Sequence, residues 1–245
     1  MQWGRTDHME PLRTVEGPLV TGHIVDRPNR FVVRVEFDED PERAFLADPG
    51  GLEGLVEPGR EIRCSPVDDP DRSTAYDAIA VPVNGVFVSL RAALANDLFE
   101  VVLDRDLLAR FEGYAVRKRE PQLPDHGRTD FLLDGPDGKP VYLEVKSCTS
   151  VEAGVCKFPD RQTERGRRHL ESLTALQKDG EEAHLVFVIQ RPDVDRFRPY
   201  RDVDPGFADR LQAARAAGVG VHAIAIEFDP PHYWLRKTAV PVDLS

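Results

Sequence analysis

The sequence predicts an α/β protein in two parts. A small N-terminal β-barrel, residues 1–88, precedes a larger unit, residues 89–245, in which helices pack on a mixed sheet. Three observations carry this. The first third breaks into short β-rich runs separated by turn residues. Beyond Leu90, apolar residues first recur at helical spacing and then fall into strand-like runs alternating with helices. A length of 245 residues is enough for one large or two modest domains with their own cores.

The elements follow in order. "GHIVDR", "RFVVRVEF" and "RAFLAD" are strand-like, and the turn-rich "DPGGLEGLVEPG" follows them. "REIRCSP", "AYDAIAVPV" and "GVFVSL" come next, split by "VDDPDRST" and by Asn84-Gly85, a dipeptide suited to a two-residue hairpin. Five or six short strands in this span fit an OB-type barrel best, with an SH3-like barrel as the alternative. "RAALANDLFEVVLDRDLLARFEG" is amphipathic at helical period and stops at Gly113. Three strands are then expected, in "YAVRKRE", "TDFLLD" and "PVYLEVKSC". A helix from Asp160 to Lys178 stops at Gly180, and "AHLVFVIQ" is a buried strand. Asp204-Pro205 supplies a cap and first residue for a helix that Gly218 closes, and "GVHAIAIEF" is the last strand. The order is α-β-β-β-α-β-α-β.

Composition narrows the class. There is no apolar run of membrane-spanning length, and the opening "MQWGRTDHMEPLRTVEG" is polar, so neither a membrane span nor a secretory leader is expected. Cys64, Cys148 and Cys156 are odd in number and lack metal-type spacing, which fits a reduced, cytoplasmic protein. The cysteine at 156 is close enough to 148 for a bridge, but both read better as small apolar fillers. Net charge is −11, and Lys118, Lys139, Lys146, Lys157, Lys178 and Lys237 are the only lysines among the basic residues. An acidic, arginine-rich chain predicts a halophilic, salt-adapted surface, although a GC-rich genome yields the same composition. This charge opposes a strong nonspecific grip on nucleic acid but allows a local basic patch.

One stretch carries chemistry. In "VYLEVKSC", Val141, Leu143 and Val145 face one way and Tyr142, Glu144 and Lys146 the other. A bare E-x-K triplet is usually the wet side of a half-buried strand. Here "GPDGK" can only be a tight hairpin turn, and centring it on Asp137 pairs Leu133 with Val141, Phe131 with Leu143 and Asp130 with Glu144. Two carboxylates placed opposite each other need a cation between them or a proton on one. Asp130, Glu144 and the carbonyl of Val145 would hold Mg²⁺ or Mn²⁺, with water and phosphate completing the shell. Lys146 alongside would stabilise charge on an attacked phosphate, making Asp130, Glu144 and Lys146 the catalytic set. Two acids with an adjacent lysine fit phosphate chemistry better than glycoside hydrolysis.

Asp130, thirteen further residues, then Glu144-Val145-Lys146 resembles the core of the PD-(D/E)XK nuclease superfamily. More of the chain resembles the sugar fermentation stimulation (SfsA) family: "GRTDFLL", "VYLEVKS", "FPDRQTERGRRHLESL", "VFVIQRPDVDRFRP", "DVDPGFADRLQAARAAGV" and, earlier, "RPNRFVVRVEF", "GLVEPGREI" and "DDPDRSTAYDAIAV". That resemblance implies an OB-like barrel followed by a PD-(D/E)XK nuclease-like domain, DNA binding, and a link to sugar-utilisation genes. Within it, Thr163, Glu164, Arg165, Gly166, His169 and Leu170 match a T-E-R-G-x-x-H-L stretch. Gln190, Arg191 and Asp193 match Q-R-x-D, and Asn96 matches an asparagine at the start of the domain's first helix. Glu100 is the nearest helical acid that could complete a metal site. Two departures stand out: Ala47, Asp48, Pro49, Gly50, Gly51 and Leu52 replace a turn that usually reads close to P-N-T-G-S-M, and Asp71 stands where lysine is typical.

On the helix from Asp160, Leu170, Leu173 and Gln177 define the inward stripe, Arg165 and His169 fall at its edge, and Arg167 and Glu171 face away. Arg165 at the margin of a core beside two acids can clamp phosphate. Arg117, Lys118 and Arg119, with Arg165, Arg167 and Arg168, are the expected DNA-binding patch. The expected protein is therefore a DNA-binding, Mg²⁺-dependent phosphodiester hydrolase with a regulatory role. The alternative is a binding-only regulator with a vestigial site. The oligomeric state is left open and allows a homodimer.

Overall fold

The structure is a computed structural model that describes residues 10–38, 40–123 and 127–245; the start of the polar N-terminal stretch, residues 1–9, lies outside it. The chain enters through a two-residue strand, β1 (Arg13–Thr14), and then builds β2 (Val20–Asn29), β3 (Val32–Glu36), β4 (Glu42–Phe45), β5 (Glu61–Pro66) and β6 (Tyr76–Val83). These five pair in the order β4-β3-β2-β5-β6, and a parallel β4–β6 pairing closes the barrel. Alternation is the cause: Ile24, Val33, Val35, Ala44, Ile62, Cys64 and Ala78 point inward and form its core. The two-residue turn at Asn84-Gly85 takes the left-handed backbone at both positions (φ 51° and 83°) and turns β6 into β7 (Val86–Ser89), as that dipeptide predicts.

The second unit begins with α1 (Leu94–Asp104) and one 3-10 turn (Ala109–Phe111). β8 (Ala115–Arg119), β9 (Phe131–Asp134) and β10 (Pro140–Cys148) form the expected antiparallel series. A small hairpin, β11 (Val151–Glu152) and β12 (Val155–Phe158), leads to α2 (Glu164–Lys178) and β13 (Glu182–Ile189). β14 (Arg196–Pro199), α3 (Pro205–Ala216), β15 (Gly220–Asp229) and β16 (His232–Lys237) complete the chain. The main sheet runs β8-β9-β10-β13-β15-β16-β1, with β10, β13 and β15 parallel. β7 joins barrel to sheet where Phe87 pairs with Phe228.

One face of this sheet packs under α1, the other under α2 and α3. Leu94, Leu98, Phe99 and Val102 of α1 meet Val141, Leu143 and Val145 of β10. Leu170, Leu173 and Leu176 of α2 meet Phe187, Phe207 and Leu211. Sheet covered on both faces is the α/β arrangement expected. Several features differ from the sequence reading. Leu12 and Val15, with β1, pack with α1 and β16, so this segment joins the second unit although it precedes the barrel. α2 begins at Glu164, because the Thr163 hydroxyl accepts the N–H of Gly166 at 3.0 Å and caps the helix there. β11, β12, β14 and β16 lie in stretches that patterning leaves as connections, since each is short or follows proline.

Arg167 and Glu171 do not face solvent away from the fold as helical phase suggested. They turn to α3, where Arg167 Nε lies 3.6 Å from Asp204 and Glu171 accepts from Arg210 at 2.5 Å. Asp204 is 1% exposed and accepts the N–H groups of Phe207 (2.8 Å) and Thr163 (2.9 Å), so one carboxylate caps α3 and steadies the start of α2. All three cysteines are buried free thiols. Among the described residues no helix is long and apolar enough to cross a membrane.

A histidine pair marks the end of the sheet opposite the site. His222 Nε2 lies 3.2 Å from His184 Nδ1, and His184 Nε2 lies 2.8 Å from Glu182, which Arg110 also pairs. Burial, then the fields of His184, Arg110 and Arg215, push the His222 pKa down to about 4. An unfolded histidine titrates near ~6.5, so this contribution to stability is complete above that pH and is lost as pH falls toward 4; the full shift is worth about 3 kcal/mol. Urea unfolding at pH 7 and pH 5 should show wild type losing more stability than His222→Gln. Equal losses would place the acid sensitivity elsewhere.

Candidate active site

Strand β10 carries the site. Leu133 pairs with Val141 and Phe131 with Leu143, the register expected from the turn. β9 starts at Phe131, so Asp130 sits just beyond the ladder, where its Oδ2 accepts the N–H of Val145 at 2.8 Å. A strand residue directs its N–H and C=O to the same edge, so the Val145 carbonyl also points to the side where Asp130 lies. Asn96, at the start of α1, donates to Asp130 Oδ1 at 3.0 Å.

Glu144 and Lys146 face α2, not water. Glu144 is 2% exposed. Its Oε1 accepts from Lys146 Nζ and from His169 Nδ1. Its Oε2 lies 3.2 Å from the Thr129 hydroxyl, which also reaches the Leu143 carbonyl at 2.8 Å. Arg165 Nε donates to His169 Nε2 at 3.3 Å, which leaves Nδ1 to carry the ring proton toward Glu144. Burial alone would push the Glu144 carboxyl up, but Lys146 and His169 outweigh it and hold the group below the usual carboxylate range. Asp130 goes the other way: burial, then the Glu144 charge beside it, raise its pKa. The pair is short of positive charge on the Asp130 side.

That imbalance tests the expected metal. Two carboxylates and a backbone carbonyl are an all-oxygen donor set of the kind a hard divalent cation takes; both Asp130 oxygens and Glu144 Oε2 keep a lone pair beyond the bonds described, while Oε1 is taken up by Lys146 and His169. Among the described residues no group of three or more His, Cys, Asp or Glu side chains is placed to hold a metal. A cation held by these few donors would have to complete its shell with water and phosphate, as Mg²⁺ does.

The floor opens into a cleft of about 480 Å³ between the two domains. Asp130, Glu144 and Lys146 line one side, and Asp48, Pro49 and Gly50 of the barrel's β4–β5 loop line another. Asp160 reaches the loop, accepting the N–H of Leu52 at 3.2 Å. Asp48 is buried there, and burial raises its pKa to about 6. These partners are about a hundred residues apart in sequence, which is why patterning does not find them. Thr129 had a sequence signal, since it adjoins Asp130 in "GRTDFLL".

The remaining candidates divide. Glu100 does not reach the acids: it lies one turn beyond Asn96 and pairs with Arg119 at 3.1 Å. Gln190 donates to the Arg91 carbonyl (2.9 Å) and Ser147 Oγ (2.8 Å), and Arg191 pairs with Asp193, so Q-R-x-D braces the strand ends behind the cleft. The expected basic patch is split. Arg117 pairs with Asp134, and Arg119 with Asp97 and Glu100, on β8 along with Lys118 at the sheet edge. Arg167 is turned to Asp204. Arg165 and Arg168 instead line an open groove with Arg128 and His169, next to the floor.

Comparison with known proteins agrees with this architecture. Residues 25–90 match the family described as the SfsA N-terminal OB domain, and residues 93–232 that described as the sugar fermentation stimulation protein RE domain. The chain belongs to the SfsA family. A sugar fermentation stimulation protein homolog of Moorella thermoacetica is 42% identical over 213 residues, covering 86% of this chain and 91% of that one. The homolog of Halorhodospira halophila is 40% identical over 218 residues, covering 86% and 90%. The solved SfsA of Pyrococcus furiosus, described in complex with Ca²⁺, superposes with a TM-score of 0.88 at 30% identity, covering 96% of this chain and all of that one. An OB barrel followed by an RE domain is thus the SfsA architecture and the architecture here.

Proposed function

We propose that this chain binds nucleic acid and hydrolyses phosphodiester bonds with Mg²⁺ or Mn²⁺ held by Asp130, Glu144 and the Val145 carbonyl. The observation that carries the reading is a buried carboxylate, Glu144, on the floor of an open cleft, with a second acid beside it and an ammonium bonded to it. The Ca²⁺ named with the Pyrococcus furiosus relative supports a divalent site in the family. When bound, the cation supplies charge neutralisation and water activation.

The chain's own residues do the rest. Asn96 and the Val145 N–H aim Asp130. Thr129 and His169 aim Glu144. Lys146 stabilises the charge that gathers on the attacked phosphate. Arg165, at the cleft mouth, clamps a neighbouring phosphate. A regulatory role at sugar-utilisation genes belongs to the same proposal, with the family description as its support.

A binding-only protein is the second reading, and one observation favours it: Glu144 Oε1 is already engaged by both Lys146 and His169. Incubation of the purified protein with DNA separates the two. The hydrolytic reading expects cleavage in Mn²⁺ or Mg²⁺, none in EDTA, and none by Lys146→Ala. Binding without cleavage in either metal leaves the regulator.

A further inference from the structure

We infer that the nucleic acid admitted to this cleft is single-stranded, a lone strand or an unpaired end, and not continuous duplex. The cleavage arm of its test rests on the hydrolytic reading above; the binding arm does not.

Depth is the first argument. The side chains of Glu144, His169 and Lys146 are 2%, 14% and 16% exposed, so a phosphate must descend to reach them. The second is a bridge that ties two walls of the cleft together. Arg27 of the barrel holds the β4–β5 loop by donating to the Gly51 carbonyl at 2.6 Å and the Gly50 carbonyl at 2.9 Å. Leu52 then binds Asp160 across the cleft. The approach is so close that a Cβ on Gly50 would lie 2.8 Å from Asp160 Oδ2. A cleft of about 480 Å³ suits one ligand of small-molecule size. A duplex, whose major groove alone is about 12 Å wide, does not fit a cleft of that size whose walls are tied to each other.

The barrel surface beside the bridge supplies an independent third argument. Phe31 (40%) and Phe45 (37%) are the exposed large apolar side chains among the described residues. Both sit beside the elements that carry the bridge, Phe31 in the turn between β2 and β3 and Phe45 at the end of β4: Leu46 N–H binds the Phe31 carbonyl at 2.8 Å, and Arg27 also reaches the Arg30 carbonyl at 3.3 Å. Arg30 lies 4.6 Å over the Phe31 ring and Arg72 5.7 Å over that of Phe45. Aromatic rings with guanidinium groups stack unpaired bases; bases inside a duplex have no free face to offer. In such barrels the face of the second and third strands and the loop between the first and second, where these rings sit, form the surface OB-folds use for oligonucleotides.

The test uses one labelled oligonucleotide as a single strand, as a blunt duplex and as a duplex with an unpaired tail. By fluorescence anisotropy in EDTA the single strand should bind at least about tenfold more tightly than the blunt duplex, and Phe31→Ala or Phe45→Ala should each weaken single-strand binding about fivefold or more. With Mn²⁺, the single strand and the tail should be cut and the duplex interior spared. Arg27→Ala, which frees the bridge, should let the duplex be cut while single-strand cleavage holds. Equal affinity for strand and duplex, or interior duplex cleavage at the single-strand rate by wild type, overturns the inference. No cleavage of any substrate, with the strand preference in binding retained, removes the hydrolytic reading and leaves this one standing.

Discussion

Lys146→Met should abolish metal-dependent cleavage and also destabilise the protein. Its ammonium is bonded to Glu144, which is 2% exposed. Removing one partner of a buried ion pair typically costs about 3–5 kcal/mol, because the other charge is left in low dielectric. His169 keeps a bond to the same oxygen, so the lower end, about 3 kcal/mol, is expected here. Loss of a donor poised at developing charge lowers the rate by a further factor of about 10²–10³ among molecules that remain folded. The two effects separate in Lys146→Met/Glu144→Gln, which removes both charges. Urea unfolding should show the double variant recovering much of the lost stability, while cleavage stays absent. A single variant as stable as wild type would mean that the Glu144 carboxylate is not held by Lys146.

Asp130→Asn should act in the opposite direction on stability while being as harmful to activity. Burial and the neighbouring Glu144 raise the Asp130 pKa, so its ionised form opposes folding at neutral pH when no cation is present. Sign follows directly: a carboxyl with a raised folded pKa costs stability as pH rises from its unfolded value through its folded one. Asparagine removes that cost and still accepts the Val145 N–H, and the Asn96 amide can turn its oxygen to meet the new NH₂ group. In EDTA at pH 7.5 the variant should melt at or above the wild-type temperature. In Mn²⁺ wild type should gain stability through binding to the folded state and the variant should not. A variant that melts well below wild type in EDTA, or gains as much in Mn²⁺, contradicts the charge imbalance described.

The contrast between these two acids was partly legible in the sequence. Hairpin chemistry at "GPDGK" and the two-residue period set the register, and the structure has Leu133 opposite Val141 as they require. Glu144 and Lys146 on one face also followed from the period. What that face meets did not. An alternating strand reads as half-wet until a helix is known to cover it, and here α2 brings His169 onto Glu144. Helical phase placed His169 at the core edge correctly, yet it turned Arg167 and Glu171 outward, because it could not register α3 as a neighbour. The basic patch shows the same limit. Arg117 and Arg119 are prominent in "RKRE", but cross-strand and helix acids neutralise them. The bridge from Arg27 through Gly50 and Gly51 to Asp160 depends on docking between two domains, and no local rule reports it.

The claim on which the rest depends is that Asp130 and Glu144 together hold a divalent cation. Titration calorimetry with Mn²⁺ reads this without reference to any substrate. Wild type should give saturable heat with one site per chain, and Glu144→Gln, which keeps the size and hydrogen-bonding reach of the side chain but not its charge, should give none. Equal heats in the two proteins, or no heat in either, would contradict it.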